Sequence, residues 1–276
     1  MNRNRFFHFL VHLVLITSIV IIAFPVFYAF IVSTQSFQDV FVYPPKFTPG
    51  TDTIQNYVAA WKTVKMGRLL FNSAFISVAV AVGKIALSLM AAFAFTYFGD
   101  FRGKGLFFVI ILITHMLPLP IRIVPTFELM RNFHWVDTYY ALTIPFFASA
   151  TGVLLFRQLF LTVPGSLCDA ARVDGITPMG FLMRILVPLS KTNISALFLI
   201  EFLYMWNQYL WPLVITNRDE MRVVQIGIKM LLAGQAQAAD WNIIMAGTIL
   251  AMLPPLIILF VMQSSLVKGF SMQEEK

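Results

Sequence analysis

Long apolar runs alternate along this chain with short polar stretches. Runs near 10–33, 71–97, 106–127, 139–160, 191–215 and 243–267 each meet the requirement of roughly 20 apolar residues for a bilayer crossing. They predict an all-α, polytopic membrane protein with about six transmembrane helices. The stretch 34–70 between the first two runs is polar. Its Pro44-Pro45, Pro49-Gly50 and Asp52 are turn signals. Residues 56–70, with Trp61, Lys62, Lys65 and Arg68, predict an amphipathic interfacial helix, because neighbours three and four apart share a face. Prolines mark helices that do not run straight. Met116-Leu117-Pro118-Leu119-Pro120 breaks the third run, Pro125 follows it, and Pro254-Pro255 interrupts the sixth. Such breaks shape transport pathways, but proline is also common in membrane helices generally. The organisation expected is a first transmembrane helix with an extracytoplasmic loop over 1–70, a five-helix core over 71–267, and a tail over 268–276.

One segment, 161–190, does not fit the apolar pattern. Pro164-Gly165-Ser166 opens it, with Ser166 as the expected N-cap. Asp169-Ala170-Ala171-Arg172-Val173-Asp174-Gly175 follows. Asp169 is expected in the first turn, where negative charge complements the helix dipole. Ala170 and Ala171 are small enough for a partner surface to come close. Gly175 suits a helix end with positive φ. Thr177-Pro178 then restarts a helix, Thr177 as N-cap and Pro178 at the first helical position. Phe181, Ile185 and Leu186 give that helix an apolar face, and Pro188 ends it. By itself this is a helix–turn–helix lying at the membrane surface. A docking knob and an ordinary loop are both open readings.

Composition agrees with a membrane protein. The chain is 59% hydrophobic and 12% charged, with a mean hydropathy of +0.79; soluble domains carry about 25% charged residues. The net charge of +7 comes with no basic run or aromatic-interleaved patch, so nucleic acid is not an expected partner. Arg3 and Arg5 precede an apolar run longer than the about 7–15 residues of a signal-peptide core, which predicts a retained first helix. With the N-terminus inside, ten Lys/Arg fall in cytoplasmic segments and eight outside. That bias has the sign of the positive-inside rule and places both termini in the cytoplasm. The single cysteine, Cys168, forms no internal disulfide framework. No G-x-x-x-x-G-K-[S/T] nucleotide loop is present: Gly83-Lys84 lacks the upstream glycine and runs into Ile85. His8, His12, His115 and His134 have no metal-ligand spacing. No acid–base pair or nucleophile elbow is evident.

Charges within the runs need a reason, because each costs about 2.5–3.5 kcal/mol at the bilayer centre. Lys84 in the second run and Glu201 in the fifth are the clearest opposite charges. They are a candidate intramembrane ion pair; the alternative is that each faces water separately. Arg122 follows the proline break. Its guanidinium matches phosphate oxygens, or it snorkels to the interface. Asn207, Gln208 and Tyr209, between Trp206 and Trp211, either line a pathway or join an aromatic belt with interhelical hydrogen bonds. Arg122, Glu201, Asn207, Gln208 and Tyr209 are therefore the candidate pathway residues.

The polar island resembles the E-A-A-x-x-x-G-x(9)-I-x-L-P loop of ABC-importer permeases. Ala170, Ala171, Gly175, Ile185 and Pro188 match in register; Asp169 stands for the usual Glu and Val187 for the usual Leu. Phe156-Arg157-Gln158, Pro188-Leu189-Ser190-Lys191-Thr192-Asn193, Trp206-Asn207-Gln208-Tyr209-Leu210-Trp211-Pro212-Leu213, Met116-Leu117-Pro118 with Arg122, and Trp241-Asn242 extend the resemblance over essentially the whole chain. They point to carbohydrate-uptake permeases, and within them to the second permease subunit of sn-glycerol-3-phosphate importers. The resemblance implies the ABC importer permease (MetI-like) fold. It implies a non-catalytic subunit of a bacterial cytoplasmic-membrane importer, moving sn-glycerol-3-phosphate or a glycerophosphodiester, or alternatively a sugar. The partners implied are a second permease (as heterodimer), two ATPase subunits that bind ATP and Mg, and an extracytoplasmic substrate-binding protein. No cofactor is implied on this chain. Asp169, Ala170, Ala171, Asp174, Gly175, Phe181, Ile185 and Pro188 would form the ATPase-coupling loop. An ion-coupled secondary transporter is the alternative of another class.

Overall fold

A computed structural model describes residues 3–233 and 239–271 of the chain. The described residues are helical: α1 (Arg3–Thr34), α2 (Phe37–Val40), α3 (Thr53–Thr63), α4 (Met66–Tyr97), α5 (Lys104–Met116), α6 (Leu119–Asn132), α7 (Tyr139–Thr143), α8 (Ala150–Leu161), α9 (Gly165–Val173), α10 (Pro178–Phe181), α11 (Val187–Leu189), α12 (Lys191–Trp206), α13 (Leu210–Ile215), α14 (Val224–Ala233) and α15 (Trp241–Ser271). Among the described residues, three stretches are long and apolar enough to cross a membrane unbroken: Phe7–Thr34, Met66–Tyr97 and Trp241–Gln263. One further span is a bent pair, and the last helical stretch of the polar island meets the span that follows it at a sharper bend. Tyr139–Phe146 meets Ala150–Leu161 at 43°, and Pro178–Leu189 meets Lys191–Trp206 at 78°. The expected third span divides at Leu117, whose extended backbone separates α5 from α6, with Pro118 at the start of the second half. The expected fifth span is also broken, at 207–209, before α13.

The chain forms two compact units. The first comprises Met1–Arg68 and Gly227–Leu253. The most apolar part of α1 is not buried inside the chain, so it is available to lipid or to another subunit, whereas its end at Ile31, Val32, Ser33 and Thr34 is buried. Asn56 on α3 ties the end of α1 in place. Its Nδ2 donates to the carbonyls of Ser33 (3.0 Å) and Gln35 (2.8 Å), and its Oδ1 accepts from Asn242 Nδ2 (2.8 Å). The single helix expected over 56–70 does not form. Helix α3 stops at Thr63, and Lys65 takes a left-handed φ of 52°. The new helix α4 starts at Met66, and the turn buries Val64 and Met66.

The second unit comprises Leu69–Ile226 and Pro254–Lys276. Its core packs Ile85, Leu89 and Phe93 of α4 against Phe156 and Phe160 of α8, Leu182 and Leu186 before α11, and Leu197 of α12. Gly152 is required here: a Cβ would sit 2.3 Å from Ser88 Oγ. At one end of α4 the fully buried Asn72 accepts from Tyr139 Oη (2.7 Å) and donates to the carbonyls of Glu220 and Arg222 (both 2.8 Å). Asn72→Ala removes three hydrogen bonds at a dry position. The expected cost is about 2–3 kcal/mol, read as a fall of roughly 5–10 °C in the midpoint of thermal unfolding; a shift under one degree contradicts this.

The expected interruption at Pro254-Pro255 is not seen. Helix α15 runs through both prolines. In apolar surroundings, unwinding would free more backbone groups with no water to receive them. The tail expected over 268–276 is helical to Ser271, and 272–276 lie outside the described residues.

The loop after α6 is held to the loop after α13 by Asp137, which has a left-handed φ of 61°. Its Oδ1 accepts from the backbone N–H of Asn217 (2.6 Å) and Arg218 (2.9 Å). Partial burial pushes this carboxyl up, but those N–H groups, the Asn217 amide and the Arg218 charge outweigh it, leaving the pKa below its ordinary value. A carboxylate depressed on folding stabilises fully above its unfolded pKa of about 3.9. That contribution is lost as pH falls through the lower folded value. The wild type should therefore unfold at a higher temperature than Asp137→Asn from neutral pH down to about pH 5, with the gap closing below about pH 4. A gap that stays constant down to pH 3 contradicts the assignment.

Candidate functional site: an anchored surface knob and a charged cavity

The polar island folds as a knob with an inner and an outer face. Helix α9 ends in a Schellman motif: Gly175 N–H donates to Arg172 O (3.0 Å) and Ile176 N–H to Ala171 O (2.9 Å), with Gly175 at φ 70°. Only a residue at ease in the left-handed region closes a helix this way. Thr177 caps the next helix through Gly180 N–H (3.2 Å), with Pro178 following. A π-helical turn over Leu182–Leu186 then leads into α11. Ser190 ends the knob, where the chain bends into α12.

Of the predicted knob residues, Ala171 and Phe181 are buried and Ile185 is half-buried against the unit's own core. These anchor the knob. The smallness of Ala171 therefore serves close packing on its own chain, not approach by a partner. Asp169, Ala170, Asp174, Gly175 and Pro188 are exposed. Two local expectations are corrected. The helix starts at Gly165 with Pro164 at the cap position, so Ser166 does not cap it, and Asp169 lies beyond the first turn. With Pro164 at the cap position the helix begins two residues earlier than a cap at Ser166 would start it. Arg172 pairs weakly with Asp169 (3.4 Å) and lies 5.2 Å from the Tyr97 ring centroid. Its pKa is raised, first by the hydrogen bond with Tyr97, then by Cys168 and Asp169 nearby. The outer face also carries Val173 (87% exposed), Met179 and Met183, which sequence reasoning passed over. Their signal was available: Ala170 and Val173 are three apart and share a helix face.

Within the second unit, Lys84 and Glu201 come together. Lys84 Nζ lies 2.5 Å from Glu201 Oε2, and the two residues are 7% and 6% exposed. Glu201 Oε1 accepts from Ser149 Oγ (3.1 Å), and Ser149 Oγ in turn accepts from Gly152 N–H (3.1 Å) as the N-cap of α8. Lys84 Nζ also lies 4.8 Å from the Tyr204 ring centroid. The cluster thus sits where the fourth span bends. It borders a cavity of about 710 Å³ that is also lined by Arg122, Ser88 and Thr114. Arg122 and Glu201 are therefore brought to one cavity. Asn207, Gln208 and Tyr209 do not line it; they form the break between α12 and α13, where Asn207 Nδ2 donates back to Leu203 O (2.9 Å). Ser149 and Tyr204 were not legible as cavity residues, because their placement depends on the bend after Pro145. Among the described residues, no group of three or more His, Cys, Asp or Glu is placed to hold a metal ion.

This fold is that of an ABC-importer permease. The crystal structure of a bacterial ABC transporter involved in importing the acidic polysaccharide alginate matches it with a TM-score of 0.84 at 21% identity, over 96% of this chain and 98% of that one. A second alginate transporter structure, in complex with an alginate-bound periplasmic protein, matches with a TM-score of 0.63 at 16% identity, over 92% of each chain. No family model matches the chain. Among curated relatives, the sn-glycerol-3-phosphate transport system permease proteins UgpE of Brucella melitensis and Rhizobium meliloti are each 43% identical over 265 residues, 94% of both chains. The protein of that name from Escherichia coli is 42% identical over 264 residues, again 94% of both. The chain belongs to the family of sn-glycerol-3-phosphate transport system permease proteins. It is a multi-pass membrane protein with a transport role.

Proposed function

We propose that this chain is one permease of a heterodimeric importer that moves sn-glycerol-3-phosphate, or a glycerophosphodiester, into the bacterial cytoplasm. The cargo follows its relatives' names. The observation that carries the mechanism is the two-faced knob: Ala171, Phe181, Leu182 and Leu186 hold it to the bundle while Asp169, Val173, Asp174 and Gly175 face outward. A separate ATPase subunit, which binds ATP and Mg, docks on that outer face. The buried anchors pass its movement to α4, α8 and α12. Both termini lie in the cytoplasm, and a substrate-binding protein delivers cargo on the opposite side. The chain itself hydrolyses nothing and holds no cofactor.

The test is assembly. A complex purified through a tag on this chain should contain a second permease and two copies of an ATPase. Adding charge and bulk to the outer face with Val173→Arg should strip the ATPase and leave the permease pair intact. Retention of the ATPase at the wild-type ratio would remove the knob from the account.

A further inference from the structure

The cavity beside the Lys84–Glu201 pair has an unbalanced charge. Lys84 is compensated by Glu201 at 2.5 Å. Arg122 lines the same cavity, and among the described residues it has no ion-pair partner. One positive charge is therefore left over at an exposed position on the cavity wall. Such a charge is costly inside a membrane unless a counter-ion or water reaches it. The remaining polar lining consists of hydroxyl-bearing side chains, Ser88, Thr114, Ser149, Thr151 and Tyr204. The cavity, at about 710 Å³, falls within the range of about 300–1,000 Å³ usual for small-molecule sites. The Tyr204 ring lies under the Lys84 ammonium, so it is not a free platform for stacking a neutral sugar.

We propose that this cavity is a binding subsite for the phosphate monoester of a small polyol, and that its affinity is set by the number of uncompensated charges around it. Arg122 is the standing cation for the phosphate. Lys84 is a second cation whose charge Glu201 cancels, and Ser149 fixes the Glu201 carboxylate at the bend. The inference deepens the cargo reading above and rests on it. It differs from a purely structural ion pair in one respect. A structural pair suffers equally from loss of either partner, whereas a charge-counting subsite responds in opposite directions.

The experiment measures equilibrium binding of radiolabelled glycerol-3-phosphate to the purified, fully assembled complex in lipid nanodiscs, without the delivery protein. Inorganic phosphate and glycerol serve as competitors. Only variants recovered as assembled complex are scored. Glu201→Gln, which adds a net positive charge and keeps an acceptor for Lys84, should bind about fivefold to tenfold more tightly by the usual scale of charge-assisted contacts. Lys84→Met and Arg122→Gln should each bind at least about tenfold more weakly. The double variant Lys84→Met with Glu201→Gln should return to near the wild-type value. Phosphate should compete and glycerol should not. Equal weakening in Lys84→Met and Glu201→Gln, with recovery in the double variant, would reduce the pair to a structural one and overturn the proposal. So would an Arg122→Gln complex that binds as the wild type does, or a wild type with no saturable binding. ATP-driven uptake by the same wild-type complex separates the two levels. Uptake of glycerol-3-phosphate without this charge dependence defeats the subsite alone, and no such uptake defeats the cargo reading as well.

Discussion

Replacing Gly175 with valine should cut ATP-driven uptake at least tenfold while leaving the membrane core folded. Gly175 has a φ of 70°, and a Cβ built there meets nothing within 4 Å. The intramolecular penalty is therefore backbone strain, not a clash. A β-branched residue in the left-handed region costs about 1–2 kcal/mol, which shifts a two-state population by a factor of about 5–30. The knob would leave the Schellman turn that sets Ile176 over Ala171, and α10 would re-aim. On the proposed docking, an ATPase approaching the open space above Gly175 would add a second penalty. Uptake into proteoliposomes, with ATP hydrolysis followed in parallel, checks this. Normal uptake by a correctly assembled Gly175→Val complex would show that neither the turn nor the space above it matters. Gly175→Asn, which tolerates this φ, should lose less than the valine variant.

The second large effect is expected at Phe181. It is buried, and its ring lies 5.7 Å from the Tyr97 ring centroid, at the base of the knob. Phe181→Ala should cost about 3–5 kcal/mol of local packing. Because the loss falls between knob and bundle, the consequence should be uncoupling more than unfolding. Under the proposed docking, the ATPase would still find Asp169, Val173 and Asp174 on the outer face, but its movement would reach a loosened joint. Cargo delivered per ATP hydrolysed should fall several-fold, and Phe181→Leu should recover most of it by refilling the space. A Phe181→Ala complex with the wild-type ratio would place force transmission elsewhere.

The helical, membrane-spanning character was legible because apolar runs of bilayer length have few other uses. The knob was legible because Gly175 and Thr177-Pro178 are backbone signals that act locally, and both appear where expected in the structure. What failed depended on competition between neighbours. Ser166 is a good cap in isolation, yet Pro164 starts the helix first. Ala171 is small whether it faces a partner or its own core, and only packing decides. The π turn at Leu182–Leu186 has no local signature. In the membrane, Lys84 and Glu201 could be matched by charge alone, since an unpaired ion is costly there. Their third partner, Ser149, could not be found that way. It reaches Glu201 only because the fourth span bends by 43° after Pro145, and bend angles are set by packing across the bundle.

The most direct test of the central claim is uptake of labelled glycerol-3-phosphate into proteoliposomes that contain this chain, its partner permease and the ATPase, with the loaded delivery protein added. ATP-dependent accumulation that stops when the ATPase is omitted is the predicted result. Accumulation by this chain without the ATPase, driven by an ion gradient, would contradict it.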